Sequence, residues 1–193
     1  MAFFVLTNTS TTSKLSVLNR VFKLYEADPS DLVFYLRDEN ESTEDEAGTR
    51  YELRRRYWTY ALNLIKEAHG ESKSFSNVNP SKENWVSGFF GINGFNICCV
   101  ANYDSARVEL YMGKAKKEEN KKAFDMLMTH REEIEKALGV SLIWNRGDDI
   151  KSSKVSYQIN GVSIDNETDW LQMARFHAEW SKKFYDIIVP YLN

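Results

Sequence analysis

The sequence predicts an α+β (α/β) fold, a mixed β-sheet organised on a central hairpin with about three helices packed on it. Three observations carry that prediction. Residues 95–112, FNICCVANYDSARVELYM, alternate with period two: Phe95, Ile97, Cys99 and Ala101 in the first half, Val108, Leu110 and Met112 in the second. Such alternation marks strands with one core face. Asp104 and Ser105, with Asn102 beside them, supply the turn, because Asx side chains satisfy local backbone donors. On both sides of this hairpin lie long segments whose apolar residues recur every three to four positions, as in helices with one buried stripe.

Taken in order, FFVL at residues 3–6 reads as a short strand, and Leu15, Leu18, Val21, Phe22 and Tyr25 as a helical stripe capped by Ser13. In residues 27–38, Asp28 followed by Pro29 favours a helix start, whereas Val33, Phe34 and Tyr35 favour a buried strand. The strand is preferred, which makes a small β-α-β opening. Residues 38–49, DENESTEDEAGT, carry almost nothing apolar and read as a solvated linker. They divide an N-terminal extension, 1–49, from a main domain, 50–193. Arg50–His69 is a helix with Leu53, Tyr57, Trp58, Ala61, Leu64 and Ile65 on its apolar face and Gly70 just past its end.

A polar loop leads to a strand beginning at Trp85, and Asn93-Gly94 is a hairpin turn signal before the central hairpin. A helix is expected over Lys117–Leu138, stopped by Gly139. Short strands follow at 141–144 and 152–159, and a last helix from Asn166 to Val189, stopped by Pro190. From Arg50 the order is therefore α-β-β-β-α-β-β-α.

A chain of 193 residues is long enough for one domain with a sizeable core. A net charge of −3 argues against a sequence-independent nucleic-acid coat but leaves room for a local basic patch. The aromatic share of 13 % is high, and a well-filled core is the ordinary reason. Cys98 and Cys99 are adjacent in a strand and point to opposite faces, so they cannot pair without strain. Two such cysteines fit a reducing compartment. With no signal-peptide pattern and no run of about 18 apolar residues, a cytoplasmic location with no membrane partner is expected.

The segments RRRYWTYAL, RVELYMG, NKKAFDMLMTHREEIEKALG and LIWNRGDDIKSSKVSYQI, with the Trp-rich final helix, resemble the bacterial and archaeal domain-of-unknown-function family 4268 over about residues 50–190. The resemblance implies an α/β domain often fused behind a restriction-endonuclease-like segment in longer relatives. This chain is expected to lack room for such a partner, and the family itself implies no activity.

The order helix, three strands, helix, strand is similar to the PD-(D/E)xK nuclease scaffold. Such an enzyme holds Mg²⁺ with carboxylates on adjacent strand ends. Here the catalytic and metal candidates are Asp104 and Glu109. The pattern then demands a lysine at position 111, where Tyr111 stands, and Lys121 or Lys122 is the substitute. Arg107, Glu109 and Tyr111 share one strand face. A structural Arg–Glu pair on a solvated face is the favoured reading of that row, a polar ligand or phosphate site the alternative.

Basic residues cluster at 54–56, 114–122 and 151–154, and ordinary solubility explains most of them. For nucleic acid, Arg55, Arg107, Lys121 and Lys154 are the phosphate candidates, and Trp58 and Trp144 the stacking candidates if they are exposed. His69, His130 and His177 have no partner at metal-ligand spacing, and no P-loop, GxSxG or GxGxxG is present. Three functions stay open. The preferred one is a non-catalytic nucleic-acid-associated accessory module on a nuclease-like scaffold, contacting DNA or RNA without a cofactor. The second is a protein-interaction module or homodimer using the last helix or the acidic linker. The third is a Mg²⁺-dependent nuclease.

Overall fold

The computed structural model describes residues 42–192. The strand at 3–6, the helix near residues 14–25 and the strand near 33–36 lie outside the described residues. Helix α1 spans Ser42–His69, strands β1, β2 and β3 span Trp85–Phe89, Phe95–Ala101 and Ser105–Met112, and helices α2 and α3 span Lys117–Met128 and Arg131–Leu138. Strands β4 and β5 cover Ile143–Asn145 and Ser153–Asn160, and α4 covers Trp170–Ile188.

The α+β class and the strand–helix order are as the sequence predicts, and three details differ. First, α1 begins at Ser42, so residues 42–49 are helix rather than linker. Second, the segment 117–138 is two helices. The Thr129 hydroxyl and amide both donate to the Met126 carbonyl, at 2.7 and 3.2 Å, and tighten the last turn of α2. The His130 carbonyl then accepts from the Ile134 amide to begin α3. Third, the five-stranded sheet, in the order β1-β2-β3-β5-β4, is antiparallel at every described pairing rather than mixed.

Alternation along the strands divides the sheet into two faces. Val86, Ile97, Cys99, Val108, Leu110 and Val155 point to one side and join the core. Helix α4 lies against β2 and β3 there, and α2 against β5 and β3. Helix α1 packs on α4 through Tyr57, Trp58 and His69: the Tyr57 ring meets Trp170 edge-on at 5.6 Å, and His69 Nε2 lies 2.9 Å from Ser181 Oγ. The Phe75 ring sits on Gly88, where an added Cβ would fall 2.6 Å from a ring carbon, so only glycine admits that approach. Past the same end of β1, Gly94 takes a positive φ of 81° in the turn to β2, which glycine adopts without strain. No described helix is long and apolar enough to cross a membrane.

Candidate functional site

The opposite face of the sheet is covered by none of the described helices. Pairing registers arrange its side chains in three rows that run across the strands. One row is Phe89, Asn96, Tyr111, Lys154 and Asn145, and the next is Ser87, Cys98, Glu109, Ser156 and Ile143. The third is Trp85, Val100, Arg107 and Gln158. The central row consists mainly of small side chains, so it forms a low floor between two higher walls. At a strand rise of about 3.3 Å per residue, the walls stand roughly 13 Å apart.

Glu109 is the one charged group on that floor. Its Oε2 accepts from Arg107 Nε at 3.1 Å and its Oε1 from Lys154 Nζ at 3.0 Å. The carboxylate side chain is 7 % exposed, against 29 % and 33 % for the two cations above it. Lys154 also lies 5.5 Å from the centre of the Tyr111 ring. Beside Glu109, the Cys98 thiol is pushed up to about 12, by burial first and then by the Glu109 charge. It is therefore a neutral thiol and an unreactive one. At the edge-strand end of the walls stand two large rings with much of their surface in solvent, Trp85 at 47 % and Phe89 at 56 %.

Of the residues singled out from sequence, the structure brings Arg107, Glu109 and Lys154 together, with Tyr111 beside them. It does not bring Asp104, Glu109 and Lys121 together. Asp104 is in the β2–β3 turn, where its Oδ1 accepts from Ser105 Oγ. Glu109 lies five residue steps further on, roughly 16 Å along the strand. Lys121 belongs to the other side of the sheet. Its Nζ donates to the carbonyls of Arg146, Gly147 and Ser152 at 2.5, 2.7 and 2.8 Å and reaches Ser153 Oγ at 3.1 Å. Those acceptors occupy all three of its N–H groups. No group of three or more His, Cys, Asp or Glu side chains able to hold a metal ion occurs among the described residues.

The tryptophans named for stacking are otherwise engaged. Trp58 is fully buried, with its indole N–H donating to the Glu83 carbonyl at 3.0 Å, so the exposure a stacking role requires is missing. Trp144 is half-buried on the covered side, edge-on to Phe124, and donates to Glu135 Oε1 at 2.9 Å. Arg55 is exposed on α1, away from the Arg107 row.

Sequence reasoning missed Trp85 and Phe89 as surface groups. Their spacing with Ser87, all on one side of β1, was the available signal, but it does not say which side the helices take. Also missed was Asn120, a buried clamp whose Oδ1 accepts from the Lys114 amide and whose Nδ2 donates to the carbonyls of Lys114 and Lys151. With Lys121 it ties the β4–β5 loop to α2. Lys117, Lys122, Asp125 and Arg146 border an open depression of about 490 Å³ there. Arg146 is already gripped by Asp125, at 2.7 and 2.9 Å, and by Asp148.

His177 is fully buried between α1, α4 and the sheet. Its Nε2 donates to the Val100 carbonyl at 3.1 Å, so its Nδ1 accepts from the Tyr57 hydroxyl at 2.8 Å. Burial holds it down to about 4, which makes it a neutral structural group.

No curated protein and no solved structure matches the chain. The sequence profile of the family described as a domain of unknown function (DUF4268) matches residues 53–192, well over half of the 193 residues, and the chain therefore belongs to that family.

Proposed function

We propose that the chain is a non-catalytic, nucleic-acid-associated accessory module that uses the uncovered sheet face as its contact surface. One observation carries the reading: exposed Trp85 and Phe89 share that face with Arg107, Lys154 and Tyr111. Rings offer stacking platforms of about 1–3 kcal/mol per base, and cations track a phosphate backbone. The separation of Asp104 from Glu109, and the double ion pair that holds Glu109, support a role in binding rather than in metal-assisted cleavage.

The test is fluorescence anisotropy of labelled single- and double-stranded DNA and RNA at two salt concentrations, with Mg²⁺ and with EDTA, and with the probes checked for cleavage. Salt-sensitive binding without cleavage is the expected result. Cleavage that requires Mg²⁺ would overturn the non-catalytic part. A second reading, docking of a protein or of another copy of the chain, is favoured by one feature. β1 is an edge strand carrying two exposed rings, with no lysine or proline in WVSGF to guard it. Absence of binding to every probe, together with concentration-dependent self-association, would favour that reading instead.

A further inference from the structure

We infer that Glu109 is an internal counter-charge that competes with the phosphates of a single-stranded nucleic acid for Arg107 and Lys154. The inference rests on the reading just proposed and names both the ligand class and the residue that limits its affinity.

The geometry of the rows favours a single strand. Bases must be unstacked to lie on Trp85 or Phe89, and in a duplex their faces are covered by one another. The face is a sheet, and none of the described helices projects from it to enter a groove. Its floor of Ser87, Cys98 and Ser156 is low between the two walls, which suits an extended chain lying across the strands.

Charge is what commits the face to a polyanion. The floor and walls carry two cations and one anion, and the anion is set beneath the cations. Arg107 uses only its Nε on Glu109. Its terminal nitrogens make no hydrogen bond to a described residue and are two donors suited to a phosphate. Lys154 gives Nζ to Glu109 and lies over Tyr111. In the free protein, the carboxylate therefore holds the positions that two phosphate oxygens would take, and a ligand gains only what it adds over Glu109. A merely structural pair would strengthen the protein without affecting what the face binds.

The test uses the full chain and labelled oligothymidylate and oligouridylate of about twelve nucleotides, within the span such grooves cover. Glu109→Gln keeps the shape and removes the charge. Its affinity is expected to rise about fivefold at low salt, the effect of one unit charge at contact distance in water. Its log–log salt slope is expected to steepen by about 0.7, as for one further phosphate contact on a single strand.

An unchanged or weaker affinity in a folded Glu109→Gln protein would overturn the inference while leaving the binding reading intact. If that variant does not fold, Glu109→Asp serves, since a shorter side chain cannot reach both cations. It should bind more tightly than the native protein, and equal or weaker binding overturns the inference. Equal gains on a matched duplex would overturn the single-strand assignment. If neither the native chain nor either variant binds any oligonucleotide, the binding reading fails and the inference falls with it.

Discussion

The two faces of the sheet come from the same strands and the same alternation, yet they solve different problems. On the covered face, Ile97, Val108, Leu110 and Val155 are fully removed from water, and the few polar groups near them are tied off, as His177 is between Val100 and Tyr57. On the face that no described helix covers, Glu109 is nearly withdrawn from solvent and paired with two cations, and large rings stand exposed at the edge strand. The covered face is where stability resides, because apolar area leaves water there and buried polar groups such as His177 and His69 are hydrogen-bonded. The face that no described helix covers carries charge and exposed rings instead, and it is the face proposed above for binding.

Adjacent residues on opposite faces give the widest contrast. Leu110→Ala is expected to cost about 4 kcal/mol, in the range for a fully buried leucine, whereas Tyr111→Ala should cost less than about 1 kcal/mol. Urea unfolding of the two variants measures this, and similar losses would break the distinction between the faces.

Next in size is the response of the covered side to acid. His177 titrates near 6.5 in the unfolded chain and is held to about 4 in the fold by burial, so the unfolded state takes up its proton first. The neutral group's contribution is fully present above about pH 6.5 and is lost as the pH falls through about 4. For this residue the loss is up to about 3 kcal/mol. His69 is likewise lowered to about 4, chiefly by burial, and acts in the same direction. A melting temperature that stays flat from pH 7.5 down to about 4.5 would show that the imidazoles are not buried as described.

The Lys121 clasp belongs to the covered side but contains a charge. Lys121→Met leaves three carbonyls without their donor and should cost about 2 kcal/mol. Amide exchange should quicken in residues 146–153, and unchanged protection there would mean that the loop holds its shape without the ammonium. The smallest effect on stability is expected for Phe89→Ala on the open face, within about 0.5 kcal/mol. The same variant should weaken oligonucleotide binding about fivefold, as for the loss of one modest stacking contact. A fall in stability without a change in binding would assign Phe89 to the core.

Much of the fold was legible because it follows from local periodicity. The hairpin residues Phe95, Ile97, Val108 and Leu110 are buried as their alternation predicts, and Asn166 caps the turn before α4 by accepting from the Thr168 amide. What was not legible depends on partners distant in sequence. Lys121 lies among exposed lysines and glutamates in α2, and only the return of the chain at Arg146–Ser153 makes it a buried donor. Trp85 looks like any core tryptophan until the helices are known to occupy the opposite face. Arg107 and Glu109 were readable as a pair from their two-residue spacing, but Lys154 joins them through a strand 45 residues further on. The break at Thr129 is hidden by an apolar stripe that continues through it in Leu127 and Ile134.

The strand order has a consequence for how the chain assembles. β1, β2 and β3 form a meander whose turns span only a few residues, and β4 and β5 form a second local pair. β3 gains its outer partner only when Ser153 comes back beside Met112, after the chain has made both α2 and α3. Two quick, local pieces must therefore meet through one slow, long closure, and pairings of high sequence separation are the ones that set folding rates. Until that closure, the edge of β3 lies open, and the β4–β5 pair that Lys121 and Asn120 hold against α2 is the piece that seals it.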